Sequence, residues 1–565
     1  MAPSTDAPNR PARKRKTRGE GQWALGYREP LNANERSKKD DNPLNVRERI
    51  ETIYAHRGFD SIDPGDLRGR FRWWGLYTQR APGIPGARTG TIEPEELDDS
   101  YFMLRVRVDG GALTTEQLRT IGEVSQTYAR DTADITDRQN VQLHWIRVED
   151  MPTIWEKLEG VGLSTTEACG DCPRVVLGSP VAGVAADEVI DGTPAIDEIT
   201  ERYIGDPSLS NLPRKFKSSV SGSPRWDSVP EINDVSFVGV EHPEHGPGYD
   251  LWVGGGLSTN PKLAVRLGTW VPQEDVAEVW HGVVRIFRDY GYRRLRHRAR
   301  LKFLVTDWGA EKFREVLETE YLGRALVDGP APATPTTARD HLGVHPQQDG
   351  NFYIGAKSAA GRVSGSTLVE VAKAAERAGS RRVRTTVEQN LLVLDVAPGE
   401  VDGLVSDLAG LGMHADPSPW RRGVMACTGI EFCKLAIVET KERAIDLIGD
   451  LERRLADIQG DVRDPVTINL NGCPNACART QVADIGLKGQ MVPGPDGAQV
   501  PGYQVHLGGG LALDAGFGRK LRGHKVTSEE LGDYVERLVR RYLDQRTEGE
   551  RFAQWVGRAE EDDLR

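Results

Sequence analysis

Three pairs of short segments recur in this chain at nearly one spacing, and no other feature limits its fold as much. "GYDLWVGGGL" begins at Gly248 and "GYQVHLGGGL" at Gly502, 254 positions on. "TDRQNVQL" begins at Thr136 and "TVEQNLLV" at Thr386, 250 positions on, sharing the Thr, Gln and Asn. "EACGD" around Cys169 answers "MACTG" around Cys427, 258 positions on. Chance matches would scatter in offset. These keep order and spacing, so a module of about 250 residues occurs twice.

Each copy opens alike. The first runs from the alternating "YFMLRVRV" through "TTEQLRTIGEVSQTYA" to "VQLHWIRV". The second runs from "NFYIGAKS" through "STLVEVAKAAERAGS" to "RVRTTVEQNLLVLDV". Strand periodicity around helical periodicity gives a small α+β unit, with antiparallel strands and helices on one face. A larger α/β segment follows in each copy and ends in "GGGL". The expected fold class is α+β, internally duplicated and pseudo-twofold. The expected layout is a basic, flexible tail at 1–60, a small unit at 60–155 and a larger segment at 160–325. A Pro/Ala/Thr linker, "DGPAPATPTTA", then leads to a second small unit at 340–405 and a second large segment at 415–565. "VGGGLS" and "LGGGLA" are not Gly-x-Gly-x-x-Gly, and no Walker loop occurs. They fit close backbone approach to a neighbour or a bulky cofactor better than nucleotide binding.

Composition removes several function classes. A chain of 565 residues, 38% hydrophobic, can bury several cores. No apolar run approaches the about 18 residues of a membrane span, so no membrane association is expected. The N-terminus, "MAPSTDAPNRPARKRKTRGEG", has no apolar stretch behind its basic residues and is not a secretory signal. Six cysteines are too few for a secreted disulfide scaffold. A cytoplasmic protein is expected, in which clustered cysteines bind metal or do chemistry. The net charge of -11 argues against a general nucleic-acid binder. Only the tail cations Arg10, Arg13, Lys14, Arg15, Lys16 and Arg18 point that way.

Four of the cysteines form two pairs. Cys427 and Cys433 stand in "MACTGIEFCKLA"; Cys473 and Cys477 stand in "TINLNGCPNACARTQ". The apolar positions Leu435, Val438, Ile445, Ile448 and Leu455 suggest an amphipathic helix starting near Cys433, with another opening at Cys477. "VTINL" reads as a short strand feeding a turn, made by Asn471, Gly472 and Pro474, with exposed backbone donors. Structural zinc prefers tighter Cys knuckles. Core packing suits polar, Gly-containing turns badly. Four thiolates on a cubane iron–sulfur cluster, surrounded by N–H donors, fit best. All three readings stay open on spacing alone.

The Cys-x5-Cys and Cys-x3-Cys spacing, with "TDRQNVQLHWI", "LRVR", "PRKFK" and "HRARLKFL", resembles the siroheme-dependent sulfite and nitrite reductases over roughly residues 60–555. The resemblance implies a ferredoxin-like unit plus a larger haemoprotein-type domain in each copy. It implies one [4Fe–4S] cluster on Cys427, Cys433, Cys473 and Cys477, and one siroheme, with Cys477 shared between the two. By the same resemblance Thr136, Arg138, Gln142 and His144 line the siroheme, with Asn475 near it. His144 alone would equally be a packed strand histidine. Arg105, Arg174, Lys215 and Lys217 match the family's substrate-side cations. The actinobacterial-type members, which this chain most resembles, join a cysteine at the position of Cys169 by a thioether to a tyrosine matching Tyr77. For Cys172 in "ACGDC", core packing, a redox motif and half a zinc site all remain open.

The two copies differ where such a site would need them to. Arg138 and Gln142 become Glu388 and Leu392 in the second copy. One half would then supply thiol ligands and the other an anion pocket. Lys215 and Lys217 fall on one strand face and can converge on one small anion. The family's nitrite-reducing members tend to have Asn at the position of Lys217. Sulfite is close to a dianion and nitrite a monoanion. A second cation favours the dianion by about 1–4 kcal/mol at roughly 4 Å. The expected activity is ferredoxin-dependent, six-electron reduction of sulfite to sulfide in sulfur assimilation, by a monomer. The alternatives are nitrite reduction to ammonia on the same scaffold, and a zinc-stabilised nucleic-acid-binding protein. No flavin or nicotinamide fingerprint appears, so electrons come from a partner, which the resemblance implies is ferredoxin. The cation-rich "GYRRLRHRARLK" (291–302) is one candidate docking segment, though its "HRARLKFL" part matches a motif expected to be buried.

Overall fold

The computed structural model describes residues 31–462 and 464–565. The two small units each form a five-stranded antiparallel sheet, but neither is closed by its own residues. The first runs Leu76–Arg80, Asp98–Val106, Val141–Ile146, Ala133–Ile135, and is completed by Arg362–Val363 from the second copy. The second runs Gly343–Pro346, Phe352–Lys357, Asn390–Val396, Arg382–Thr385, and is completed by Ala112–Thr114 from the first. Thr114 then caps the helix Thr115–Tyr128 through a capping box with Gln117. Ser364 caps its counterpart Gly365–Arg377 by accepting from the Thr367 N–H. The two helices pack against each other at glycines. A Cβ on Gly122 would lie 2.6 Å from the Gly365 carbonyl oxygen, so only glycine permits the crossing. One apolar core runs from Val46 to Ala415 across both units.

The larger domains repeat one sheet order. In the first copy Pro173–Gly178, Phe216–Ser221 and Val235–His242 are parallel neighbours; Gly246–Val253 and Val265–Val271 follow antiparallel. In the second copy the order is Val424–Ala426, Ile468–Asn471, Ile485–Pro493, Gln499–Leu507 and Arg519–Thr527. Helices cover one face of each: Val276–Tyr290 and Leu301–Val316 in the first, Lys441–Arg454 and Leu531–Gln545 in the second. Each pairing buries its own apolar core. Parallel strands direct their C-terminal ends to one side, where connecting loops can gather ligands.

The expected tail to residue 60 is corrected from residue 32 onward. Ala33–Asp40 is a helix, and a helical run from Val46 reaches Arg57. Val46, Ile50 and Tyr54, four residues apart, are buried in the shared core. Lys38 is buried and bonded to Glu35 at 2.6 Å and to Asp171 at 3.3 Å, which clamps this arm to the first large domain. The basic run Arg10–Arg18 lies outside the described residues. Among the described residues no helix is long and apolar enough to cross a membrane.

Candidate active site

Both thiol pairs leave the same end of adjacent parallel strands. Cys427 directly follows Val424–Ala426, and Cys473 and Cys477 follow Ile468–Asn471, its hydrogen-bonded neighbour. The loops are laced together: the Cys427 N–H donates to the Leu470 carbonyl at 3.1 Å, and the Ile437 N–H to that of Gly472 at 2.7 Å. The Gly472 N–H donates to the Cys427 Sγ at 3.3 Å. Backbone N–H groups of Leu435 and Ala436 serve Cys433, and that of Asn475 serves Cys473. Burial first, and then the Cys477 thiolate, pushes the Cys427 thiol up to about 12; the same two causes raise Cys433 and Cys473. The four thiols are thus electrostatic neighbours, and none is in a disulfide. No three His, Cys, Asp or Glu side chains among the described residues close around a single ion. Four unpaired sulfurs within electrostatic reach of one another, three of them served by backbone N–H donors, fit the corners of a polynuclear cluster.

Two helix expectations are corrected here. Residues 428–440 are irregular, and the helix begins only at Lys441. Gly429 sits at φ +74°, and the Ile430 N–H donates to the Val438 carbonyl, so the loop folds back on itself. Glu439 Oε1 then accepts from the N–H groups of Thr440 and Lys441 at 2.8 and 3.0 Å and starts the helix. Leu435, placed on an apolar helix face by the sequence pattern, is 61% exposed. Cys477 opens no α-helix either: Ala476 and Arg479 are left-handed, and only the short turn Thr480–Val482 follows. The pairing of "EACGD" with "MACTG" also fails. Cys169 precedes its parallel strand Pro173–Gly178, whereas Cys427 follows its own.

The Thr-x-x-Gln-Asn turns explain their own recurrence. Thr136 Oγ1 accepts from the Arg138 and Asn140 N–H groups; Thr386 Oγ1 does the same for Glu388 and Asn390. Gln139 bonds both backbone groups of Gly178, and Gln389 both of Ala426, the residue before Cys427. The shared residues tie each turn to a strand end, and the differing position, Arg138 or Glu388, is left for the site. Arg479, which no sequence pattern singled out, joins the two turns. Its guanidinium donates to the Asp137 carbonyl at 3.0 Å, to the Val387 carbonyl, and to Glu388 Oε1 at 3.0 Å. A lone arginine after "NAC" carries no signal of a partner found across the pseudo-twofold.

The first copy's cations gather without counter-charges. Among the described residues Arg105, Arg138, Arg174, Lys215 and Lys217 have no carboxylate in ion-pair reach, whereas nearby Arg300 grips Asp234 at 2.8 Å. Arg138 donates to Asn233 Oδ1 at 2.8 Å and to the Val175 carbonyl at 3.1 Å. Its Nε is buried without a partner. Burial, opposed by Asp137 and reinforced by Arg174, pulls Arg138 down to about 9. Burial, then Arg300 and Arg174, pulls Lys215 down to about 8, and Cys477 is among the charges acting on it. Burial, then Arg138 and Lys215, pushes Lys217 well below its usual range. Half-buried cations clustered without carboxylates favour an anion from outside.

Arg105 and Arg174 meet at Cys169. Arg105 Nη1 donates to the Cys169 Sγ at 3.2 Å, and the Tyr77 hydroxyl lies against the same sulfur. Arg174 holds the Gly170 carbonyl through Nε and Nη2 at 3.0 and 2.7 Å. Gln142 is the cross-strand partner of Arg105. Cys172 is buried, its thiol donating to the Cys169 carbonyl at 2.8 Å. Asn475 is exposed in the turn between Cys473 and Cys477. His144 is fully buried, bonded to Asp134 at 3.1 Å and stacked on Phe432 at 3.8 Å. Asp134 also holds Arg362 at 2.8 Å. The contacts of His144 therefore brace the Cys433 loop.

The sequence matches two family models, each twice. The nitrite and sulphite reductase 4Fe–4S domain covers residues 169–326 and 419–565. The nitrite/sulfite reductase ferredoxin-like half domain covers 94–161 and 345–411. The chain is 62% identical over 554 residues to a protein named sulfite reductase [ferredoxin] from Mycobacterium tuberculosis H37Rv, covering 98% of this chain and 100% of that one. It is 35% identical to a ferredoxin–nitrite reductase of Synechococcus elongatus, covering 91% and 97%. The solved structure of the Mycobacterium tuberculosis NirA protein superposes with a TM-score of 0.95 at 62% identity, covering 97% of this chain and 100% of that one. With a duplicated fold, four neighbouring thiols and both domain types present in duplicate, the chain belongs to the nitrite and sulphite reductase family.

Proposed function

We propose that this chain is a ferredoxin-dependent sulfite reductase that carries out the six-electron reduction of sulfite to sulfide in sulfur assimilation. The observation that carries this reading is the half-buried group Arg105, Arg138, Arg174, Lys215 and Lys217. Among the described residues it has no carboxylate in ion-pair reach, in a chain of net charge -11, and it lies close enough to Cys477 for that residue's charge to act on Lys215. Cys427, Cys433, Cys473 and Cys477 would hold the [4Fe–4S] cluster, and Cys477 would also reach the siroheme. Thr136, Arg138, Gln142 and Asn475 would border the macrocycle, with His144 braced behind them against Asp134 and Phe432, and the macrocycle's carboxylates suit Arg138, which has no carboxylate partner among the described residues. Bound there, the two groups supply electrons and the iron at which sulfur is reduced.

The chain's own residues then have three tasks. Arg105, Arg174, Lys215 and Lys217 bind the dianion and fix its orientation. The same cations stabilise negative charge as it develops. Each departing oxygen leaves as water and needs two protons. Lys215, drawn down to about 8 by burial and its arginine neighbours, can give and regain a proton near neutral pH. Burial and repulsion that depress Lys217 are offset by an arriving dianion, so substrate binding draws a proton onto that amine. The site is completed by both halves of one chain, which supports a monomer. Six unpaired cysteines support a reducing cytoplasm.

Nitrite is the second reading, favoured by relatives at 35–37% identity that are named nitrite reductases. The paired lysines favour the dianion over it. The test is turnover of purified holoprotein with electrochemically reduced ferredoxin. Expected are a coloured protein with about five iron atoms per chain, sulfide as product, and a higher kcat/KM for sulfite than for nitrite. A colourless zinc protein, or a preference for nitrite, would overturn the reading.

A further inference from the structure

We propose that the face of the second large sheet beside the thiol loop is where the acidic iron–sulfur donor docks, with Lys488, Lys520 and Lys525 on that face and Leu513 and Phe517 exposed on the loop that joins its last two strands. This rests on the ferredoxin-dependent reading above.

The sheet register places these residues. Asn471, two positions before Cys473, pairs with Lys488; Lys488 pairs with Gln504, and Gln504 with Lys525. On the same face Gly486 pairs with His506, and His506 with Lys520. Neighbouring strands are about 4.8 Å apart, so the Lys525 backbone lies roughly 14 Å from Asn471. The opposite face, with Leu487, Val505 and Leu521, is buried in the core. The Gly518 N–H donates to the Gln481 carbonyl at 2.8 Å, tying the 513–518 loop to the loop that carries Cys473 and Cys477. Leu513 is 48% and Phe517 40% exposed at that junction. Leu435, beside Cys433, is exposed on the other thiol loop.

Charge decides the kind of partner. Among the described residues Lys488, Lys520 and Lys525 have no carboxylate in ion-pair reach, in a chain with an excess of acid. Burial, then Lys488 and Lys520, lowers His506 to about 4. A cationic sheet face next to exposed apolar side chains suits a transient, electrostatically steered complex with an acidic surface. Edge-strand protection accounts for lysines on Arg519–Thr527. It accounts neither for Lys488, two strands inward, nor for two exposed apolar side chains. The 291–302 segment is a weaker rival because most of its cations are occupied. Arg293 holds Glu35 at 3.0 Å, Arg296 holds Asp171 at 2.5 Å, Arg300 holds Asp234 at 2.8 Å, and Lys302 donates to the Leu257 carbonyl at 2.7 Å. That leaves Arg294 and Arg298.

The test compares two electron donors on holoenzyme, each electrochemically reduced: an acidic two-cluster bacterial ferredoxin and methyl viologen. The variants are the triple reversal Lys488→Glu, Lys520→Glu, Lys525→Glu, and the double reversal Arg294→Glu, Arg298→Glu. The triple variant should raise the ferredoxin KM tenfold or more at low salt. Its viologen-supported rate and visible spectrum should stay within twofold of the parent, which also shows that it folds. The double variant should keep the parental ferredoxin KM. A triple variant with an unchanged ferredoxin KM, or a double variant that loses ferredoxin instead, overturns the docking proposal alone. A parent that turns over with viologen but not with ferredoxin overturns the donor reading and the docking proposal with it. A conservative set, Lys488→Gln, Lys520→Gln, Lys525→Gln, should fall between parent and reversal; no effect from either set rejects the surface.

Discussion

Arg105 Nη1 donates to the Cys169 Sγ at 3.2 Å, joining a strand of the first small unit to the loop that enters the first large domain. Burial opposes ionisation of that thiol, but Arg174, Arg105 and the Tyr77 hydroxyl outweigh it and bring it to about 6. Burial, then the Cys169 charge, pushes the Tyr77 phenol up to about 12. A thiolate against a neutral phenol is a poised pair. The thioether implied by resemblance would leave the peptide carrying Tyr77 and Cys169 lighter by two hydrogens. Peptide mapping of reduced, alkylated protein should find that mass. Recovery of alkylated Cys169 and unmodified Tyr77 would reject the link.

Lys217→Asn would remove one of the two lysines proposed above to bind the substrate. The parent's advantage for the dianion, about 1–4 kcal/mol, should shrink, and the ratio of sulfite to nitrite kcat/KM should fall tenfold or more. Competition kinetics with both anions measure it. An unchanged ratio means that Lys217 does not discriminate.

Cys477→Ser keeps the turn but removes a thiol whose charge acts on Lys215. Iron should fall well below the parental about five atoms per chain, visible absorbance should be lost, and sulfide formation should drop at least a hundredfold. Cys172→Ser, at a buried thiol outside the quartet, should leave the iron content intact. Metal analysis of both variants distinguishes a cluster ligand from a packing residue.

Glu167 gives a pH signature. Its carboxyl is buried; burial raises it to about 7, against the Gly205 N–H and the Ser210 hydroxyl that it accepts. Between its ordinary range and pH 7 the folded chain holds a proton that the unfolded chain has lost. Stability from this group therefore falls as pH rises through that window, by about 3 kcal/mol at most. Glu167→Gln should flatten the profile and unfold at a higher temperature than the parent at pH 8, with little difference at pH 4.5. Thermal unfolding at both pH values tests this, and a parent insensitive to pH would refute it.

Weakened docking in salt is the last expectation. If cations steer the donor, the ferredoxin KM should climb several-fold between low and physiological ionic strength, while the viologen rate stays flat. Steady-state kinetics across a salt series would show a flat ferredoxin KM if steering is absent.

The sequence by itself determined the duplication, the strand and helix periods of each copy, and the candidate quartet of thiols. These are local or repeated signals: alternation marks a strand face, and a shared Thr, Gln and Asn mark the same turn twice. Tertiary structure alone decided the rest. Arg362–Val363 and Ala112–Thr114 each complete the other copy's sheet, because backbone pairing is blind to chain distance. The Cys433 segment is a loop because Gly429 turns back and Val438 takes the hydrogen bond that a helix would have used. Cations look alike in a string of letters. Only folding pairs Arg293 and Arg296 with acids and leaves Arg138, Lys215 and Lys217 without them among the described residues, since counter-charges arrive from segments far away in sequence.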